Sequence, residues 1–292
     1  MSTPSPDPAV SHFGRGGMRR FSFTTATELQ LPEPARVLLE QSGAPLQVAP
    51  YFTAADPSDA LTLGVFAGHQ GLPRPSAGQS AWLRLGTDKL AQLCVDASGC
   101  VRAVALHPAG EDMFVNSDVA AFNACLTSLD RWLPVIAASS GLQDAAEAFR
   151  QLNADLRHTD EDAFAERESW WSRVLDDVRH TLNFPFSAAV EYVDDHGAKQ
   201  IITEATGPGR AHPEELLRQC LSDADVAPSQ VRRVYCELEP CMMPGHYCAV
   251  WMQKVFPQAQ FTHSFDYGES ADSREAGLKD LITHAAQQAR RR

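Results

Sequence analysis

Four residues in the last third of the chain could do hydrolytic chemistry together. His212 and Glu214 flank Pro213 at the start of the apolar-periodic run AHPEELLRQCL, and Cys241 and Cys248 bracket the segment CMMPGHYC after the run VRRVYCELEP. One imidazole and two thiolates make a donor set suited to zinc, which in catalytic sites takes three protein ligands and keeps a fourth position for water. Zinc lowers the pKa of such a water from about 15.7 towards roughly 7. A carboxylate that stands beside the metal without binding it can carry protons, a role worth about 10²–10⁴-fold in rate. Glu214 has that place. Glu215 points about 100° further round the helix and is given no role.

The elements that must position these groups follow from local patterns. Pro213 suits a first helical position, where its missing N–H is not needed and its φ is already set. His212 is then the cap residue and Glu214 lies in the first turn. Val231–Leu238 alternates as a strand, with Cys241 just beyond its end, and Cys248 opens a helix that Pro257 stops. Two helix N-termini facing one metal add positive potential where thiolates are held. Six residues separate the two cysteines, and in a continuous helix that gap would place them about 10 Å apart. Pro244-Gly245 instead predicts a turn that folds Cys248 back beside Cys241. His246 or Cys236 as a fourth ligand would close the site into a structural one. Cys236 also fits strand packing, His246 equally fits the mouth of a substrate site, and Cys220 is expected in the core. Strands at 188–193 and 199–205 joined by Asp194-Asp195-His196-Gly197 form a hairpin. A strand at 259–267 and a closing helix through Leu278, Leu281 and Ile282 complete a β-hairpin followed by αβαβα. That order predicts an α/β three-layer (αβα) domain with parallel strand neighbours.

The pair His212-Pro213-Glu214 and Pro240-Cys241…Cys248 resembles the H-x-E and P-C-x-x-C signature of zinc deaminases. Glu237-Leu238-Glu239-Pro240-Cys241 is similar to its second half in the cytidine and tRNA-adenosine deaminase superfamily. The lengthened spacing between the cysteines, where the family usually has two residues, resembles deaminase domains of bacterial polymorphic toxins. The resemblance implies zinc held by His212, Cys241 and Cys248, with Glu214 as the catalytic proton shuttle. The reaction implied is hydrolytic deamination of a nucleobase, cytosine favoured over adenine, in nucleic acid or in a nucleotide. The base would have to be single-stranded or flipped out of a duplex. Glu239, Pro240 and His246 are the expected substrate-binding residues, with the Glu239 backbone carbonyl accepting a hydrogen bond from the exocyclic amine.

Upstream, residues 1–17 are rich in Ser, Pro and Gly and are expected to be a disordered tail, followed by an α+β domain over 18–182 and the zinc domain over 183–292. The run LCVDASGCVRAVALHPAGEDMFVNSDVAAFNACLTSL resembles the fourth group of the SUKH superfamily of immunity proteins, through Val95-Asp96…Gly99-Cys100-Val101 and Val115-Asn116-Ser117. That resemblance implies a binding module with a protein partner. His69 and His107 are isolated and are read as surface residues. Residues 141–182 are strongly helical and are placed with the first domain. Trp171, Val174, Leu175 and Val178 share a helical stripe, so Trp171 is expected in the core and Trp170 on a partly exposed flank.

Composition narrows the function classes. The 292 residues carry a net charge of −12, negative both over 1–184 (−8) and over 185–292 (−4). Neither half has the basic footprint of a protein that grips nucleic acid mainly by its phosphates. Seven cysteines without a framework spacing suit reduced thiols and a metal better than disulfides. No apolar run is long enough to span a bilayer, and the start MSTPSPDPAV lacks the pattern of a secretory signal, so a cytoplasmic protein without membrane partners is expected. The competing functional class is a non-catalytic immunity-type binding protein whose deaminase-like half is a zinc-stabilised scaffold.

Overall fold

The computed structural model describes residues 7–23, 29, 31–106, 112–183 and 185–291. His107 lies outside them. The chain divides into two compact units, Met1–Pro134 with Arg150–Val174, and Val135–Phe149 with Leu175–Arg292.

The first unit opens on helix α1 (Pro8–Phe13), where the Asp7 carboxylate accepts a hydrogen bond from Ala9 N at 2.9 Å and Pro8 fills the first turn. An Asp cap followed by Pro is enough to start a short helix, so residues 7–17 are not the disordered stretch that their composition suggests. Strand β1 (Met18–Arg19), helix α2 (Glu33–Gln41) and strand β2 (Ala44–Pro45) follow, with β1 and β2 paired antiparallel. A six-stranded antiparallel meander is formed by β3 (Gln47–Val48), β4 (Phe52–Ala54), β5 (Leu83–Thr87), β6 (Ala91–Val95), β7 (Val101–Ala105) and β8 (Asp112–Asn116), with α3 (Leu63–His69) and α4 (Ala77–Ser80) between β4 and β5. The β6–β7 hairpin turns at Asp96, whose carboxylate accepts hydrogen bonds from Ser98 N, Cys100 N and Arg102 Nε. His69 ends α3 and is exposed. Helix α5 (Val119–Ala137) starts where Asp118 accepts from Ala121 N, and it buries Phe122, Cys125, Leu126 and Leu129 completely.

Helix α6 (Leu142–Thr159) and helix α7 (Trp170–Asn183) complete the helical stretch. The divisions between units fall inside helices, at Pro134 within α5, after Phe149 within α6 and after Val174 within α7. Proline in a helix interior removes one ladder hydrogen bond, which makes Pro134 a natural point for the change. The sequence reading places 141–182 with the first domain, whereas the division after Val174 splits the apolar stripe itself, with Trp171 and Val174 in the first unit and Leu175 and Val178 in the second. Asp177 and His180 on the same helix are polar, yet each is only 2 % exposed and both belong to the second unit. Trp170 is fully buried, not a flank, and donates its indole N–H to Asp88 Oδ2 at 2.8 Å. Trp171 is buried as expected.

The second unit carries β9 (Ser187–Val193), β10 (Lys199–Ala205), helix α8 (Pro213–Asp223), β11 (Val231–Leu238), helix α9 (Cys248–Val255), β12 (Gln260–Phe265) and helix α10 (Ala271–Arg291). Its sheet has the order β10-β9-β11-β12, with β11 and β12 parallel and the other pairs antiparallel. Alternation along β11 sends Val234, Cys236 and Leu238 into one core with Ala188 and Val190 of β9, Leu217 and Leu221 of α8, Met252 of α9, and Leu278 and Leu281 of α10. Each Val, Leu or Met side chain among these contributes roughly 1.5–3 kcal/mol by leaving water. All three helices therefore join the same face. The opposite face carries Ile201, 68 % exposed, and Tyr235, 39 % exposed, so a second helical layer over these strands is not seen among the described residues. Cys220 is half-buried with its thiol on Glu204, not in the core, because its turn of α8 faces the edge strand β10.

Candidate active site

The loop before α8 is shaped by Gly209, at φ +60, where a Cβ would come within 3.1 Å of Ala137 N and 3.3 Å of Ile136 Cγ2. A side chain there would push the loop away, so glycine lets the backbone close up just before His212. His212 is the cap residue of α8, in extended backbone (φ −65, ψ 150), followed by Pro213. Its ring Nδ1 lies 3.4 Å from Cys241 Sγ and 3.6 Å from Cys248 Sγ. Tetrahedral zinc with Zn–S of about 2.3 Å and Zn–N of about 2.0–2.1 Å requires N···S separations of about 3.5 Å, so the donor spacing fits that ion. The three donors are buried, at 5 %, 6 % and 0 % exposure.

The six residues between the cysteines achieve this by turning. Met243 O accepts from both His246 N and Tyr247 N, Gly245 has φ 77, and Tyr247 takes the left-handed conformation at φ 46. Ala249 N then donates to Cys241 O at 3.1 Å, fastening the start of α9 to the strand end. The turn at Pro244-Gly245 thus brings the two thiols to one imidazole.

Glu214 is buried, and its Oε2 has no hydrogen-bond partner among the described residues. Burial pushes its carboxyl pKa up, against the lowering charge of His212, and the Cys236 thiol hydrogen-bonds it. Cys236 accordingly faces Glu214 and stands outside the three-donor group. The two thiols differ. Burial raises both, but the Cys248 hydrogen bond and the His212 charge hold Cys241 well below the ordinary thiol value, whereas Cys248, burial and the Cys241 charge acting together, lies well above it. Two sulfurs in contact with each other and with one imidazole nitrogen form a donor set able to take a dication.

Glu239 anchors the other edge. Its carboxylate Oε2 accepts from Tyr267 N and Gly268 N, each at 2.9 Å, which ties the corner before Pro240 to the end of β12. His246 has a setting that its place in the sequence does not suggest. It is 3 % exposed, with Nε2 3.1 Å from Asp177 Oδ2 and Nδ1 2.7 Å from Glu215 Oε2. Asp177 and Glu215 are the residues that sequence reasoning missed. Asp177 lies far upstream on α7, and its only signal was a charged residue inside an apolar stripe. The signal for Glu215 was its third position after the cap, from which its carboxylate reaches back to His212 N at 3.3 Å.

Two family models match the chain, one described as Xanthomonas-like deaminase over residues 185–284 and one described as SUKH-4 immunity protein over residues 5–177. No curated protein and no solved structure matches at a significant level.

Proposed function

We propose that this chain, which belongs to the SUKH-4 immunity protein family by a match over more than half its length, joins that module to a zinc-dependent hydrolase that deaminates a nucleobase. Cytosine is favoured over adenine, in single-stranded or flipped positions of a nucleic acid or in a free nucleotide. The observation that carries this reading is the convergence of His212, Cys241 and Cys248 at zinc spacing beside a buried carboxylate with one oxygen unpartnered. The match to a deaminase model over the same residues supports it.

His212 Nδ1 and the Cys241 and Cys248 thiolates would hold zinc. When bound, zinc supplies an activated water at neutral pH. Glu214 serves as acid and base through Oε2, and its raised pKa brings it closer to the working pH, where a shuttle must both take and return a proton. Burial of the site excludes bulk water from that exchange. The Glu239 carbonyl, on a corner fixed by the residue's own carboxylate, and Pro240 bind the edge of the base that carries the amine. The SUKH-4 module supplies the contact with a protein partner.

The description of the first family as an immunity protein favours one alternative, a non-catalytic binding protein in which zinc only stabilises the second unit. Incubating the zinc-loaded chain with mixed single-stranded oligonucleotides and nucleotides, then measuring ammonia and sequencing the products, separates the two. Ammonia with base conversion is expected. Full zinc occupancy without either product would establish the scaffold reading. Cys241→Ala should abolish zinc binding, and near-unit zinc in that variant would sink the ligand assignment.

A further inference from the structure

We infer that Asp177, completed by His246, is a positioning residue that fixes the orientation of the metal ligand His212. This rests on the zinc-site reading above and extends it to Asp177, a residue outside the deaminase match. Asp177 lies before that match (185–284) and is the last residue of the SUKH-4 match (5–177), so neither comparison gives it a part in the site.

The geometry is a chain of contacts that starts at the metal donors and ends at the helix cap. His212 presents Nδ1 to the two sulfurs and its other ring nitrogen, Nε2, to Asp177 Oδ1 at 3.1 Å. Asp177 Oδ2 meets His246 Nε2 at 3.1 Å. His246 Nδ1 meets Glu215 Oε2 at 2.7 Å, and the same oxygen accepts from the backbone N of His212. The two imidazoles are also stacked, with centroids 3.8 Å apart and planes within 3° of parallel. His212 is therefore held at one edge by Asp177 and across one face by His246.

Two arguments make this an orienting device and not ordinary packing. Stripping a carboxylate and two imidazoles of water is costly, and apolar side chains of similar size would pack the same space more cheaply. A metal-bound histidine needs its second nitrogen to donate to an acceptor, which sets the tautomer and the ring orientation, and loss of such a partner typically costs 10–100-fold in metal affinity. A proton on Nε2, the ring nitrogen 3.1 Å from Asp177 Oδ1, leaves the lone pair of His212 on Nδ1, facing Cys241 and Cys248. The six-residue spacing between the cysteines has a purpose on this view, since a two-residue spacing would leave no room for His246.

The test uses the full chain with three variants, Asp177→Ala, Asp177→Asn and His246→Ala. Zinc affinity is measured by competition with a chromophoric chelator, and site geometry by the visible and near-ultraviolet bands of the cobalt(II)-substituted protein. Asp177→Ala should weaken zinc by about 10–100-fold and shift the cobalt bands. Asp177→Asn, which keeps an acceptor oxygen for His212, should recover part of that loss, and His246→Ala should show a smaller loss in the same direction. Thermal midpoints with and without zinc separate positioning from folding. A merely structural role would lower both midpoints equally, whereas a positioning role narrows the gap between them. Unchanged zinc affinity and cobalt bands in Asp177→Ala, with wild type binding one zinc through Cys241, would overturn the inference while leaving the metal site intact. Failure of the wild type to bind zinc would instead overturn the underlying reading. Two zinc ions per chain, one of them lost in His246→Ala, would mean that Asp177, His212 and His246 hold a metal themselves, and would also overturn it.

Discussion

Each unit buries a polar cluster, and the two clusters differ in how completely their atoms are matched. In the first unit Asp160 accepts from Asn116 Nδ2, Ser117 N and Ser117 Oγ, while the Trp171 indole donates to Asn116 Oδ1 at 2.8 Å. Both carboxylate oxygens have donors, and every donor is spent inside the cluster. In the second unit the imidazole and thiol donors of His212, Cys241 and Cys248 converge on one point, and Glu214 Oε2 has no partner among the described residues. Buried polar groups that satisfy one another hold a fold together, whereas convergent donors beside an unpartnered buried acceptor await something from outside. The contrast teaches where to look for chemistry in a chain with two buried polar centres.

The contrast can be broken most decisively at Glu214. Glu214→Gln keeps the size of the side chain but cannot take and return a proton, so turnover should fall by about 10²–10⁴-fold, towards the upper end because one group serves several steps. Zinc content should remain near one per chain by metal analysis. Equal turnover in both proteins would remove the shuttle from the mechanism. At the other centre Asp160→Ala leaves the buried Asn116 amide without its acceptor, while the exposed Ser117 can turn to water. It should cost about 1–3 kcal/mol, the range for one unsatisfied buried group. That loss should appear as a lower thermal midpoint with zinc stoichiometry unaltered.

A third test concerns pH. His180 is 2 % exposed and its Nδ1 pairs with the Tyr267 hydroxyl. Burial first, then the Arg179 charge, lower its pKa to about 3, with Asp177 opposing and Arg274 and His212 assisting. The unfolded chain takes up a proton near pH 6.5 that the folded chain refuses, so this contribution is complete above about 6.5 and is lost as pH falls towards 3. At pH 5 the loss is about 2 kcal/mol. Chemical denaturation at pH 7.5 and pH 5 should show that difference between wild type and His180→Gln, and parallel pH profiles would count against it. The smallest effect is expected on the open sheet face, where Ile201→Thr should change stability by no more than about 0.5 kcal/mol.

Much of the local geometry of the candidate site was legible in the sequence because its signals are local. His-Pro-Glu at a helix start, a strand running into Pro-Cys, and Pro-Gly between two cysteines each follow from backbone chemistry over a few residues. The strands flanking Ser98-Gly99 and the hairpin at Asp194–Gly197 were readable for the same reason. What the sequence hid is non-local or sits in an amphipathic context. Asp177 is 35 positions before His212, on a helix whose stripe advertises only its apolar side. The indole of Trp170 finds its acceptor in Asp88, 82 residues away, so no periodicity could have shown that it is buried. The single-faced packing of the second sheet depends on which way each connection runs, which the order of elements leaves open.

The interleaving of the two units has a consequence for how the chain is made. Val135–Phe149 belongs to the unit that continues only from Leu175 onward, while the first unit needs Arg150–Val174 to be complete. A ribosome delivers residues in order, so the first unit is complete only at Val174, after part of the second has already emerged. The 135–149 segment must wait for partners that take roughly 6–24 s to emerge at about 5–20 residues per second. Throughout that interval the last three residues of α5, Val135–Ala137, and the first part of α6, Leu142–Phe149, have no completed unit to join. Slowing or pausing synthesis beyond Val174 would lengthen the exposure, so the hazard to this protein is greatest before its second half has left the exit tunnel.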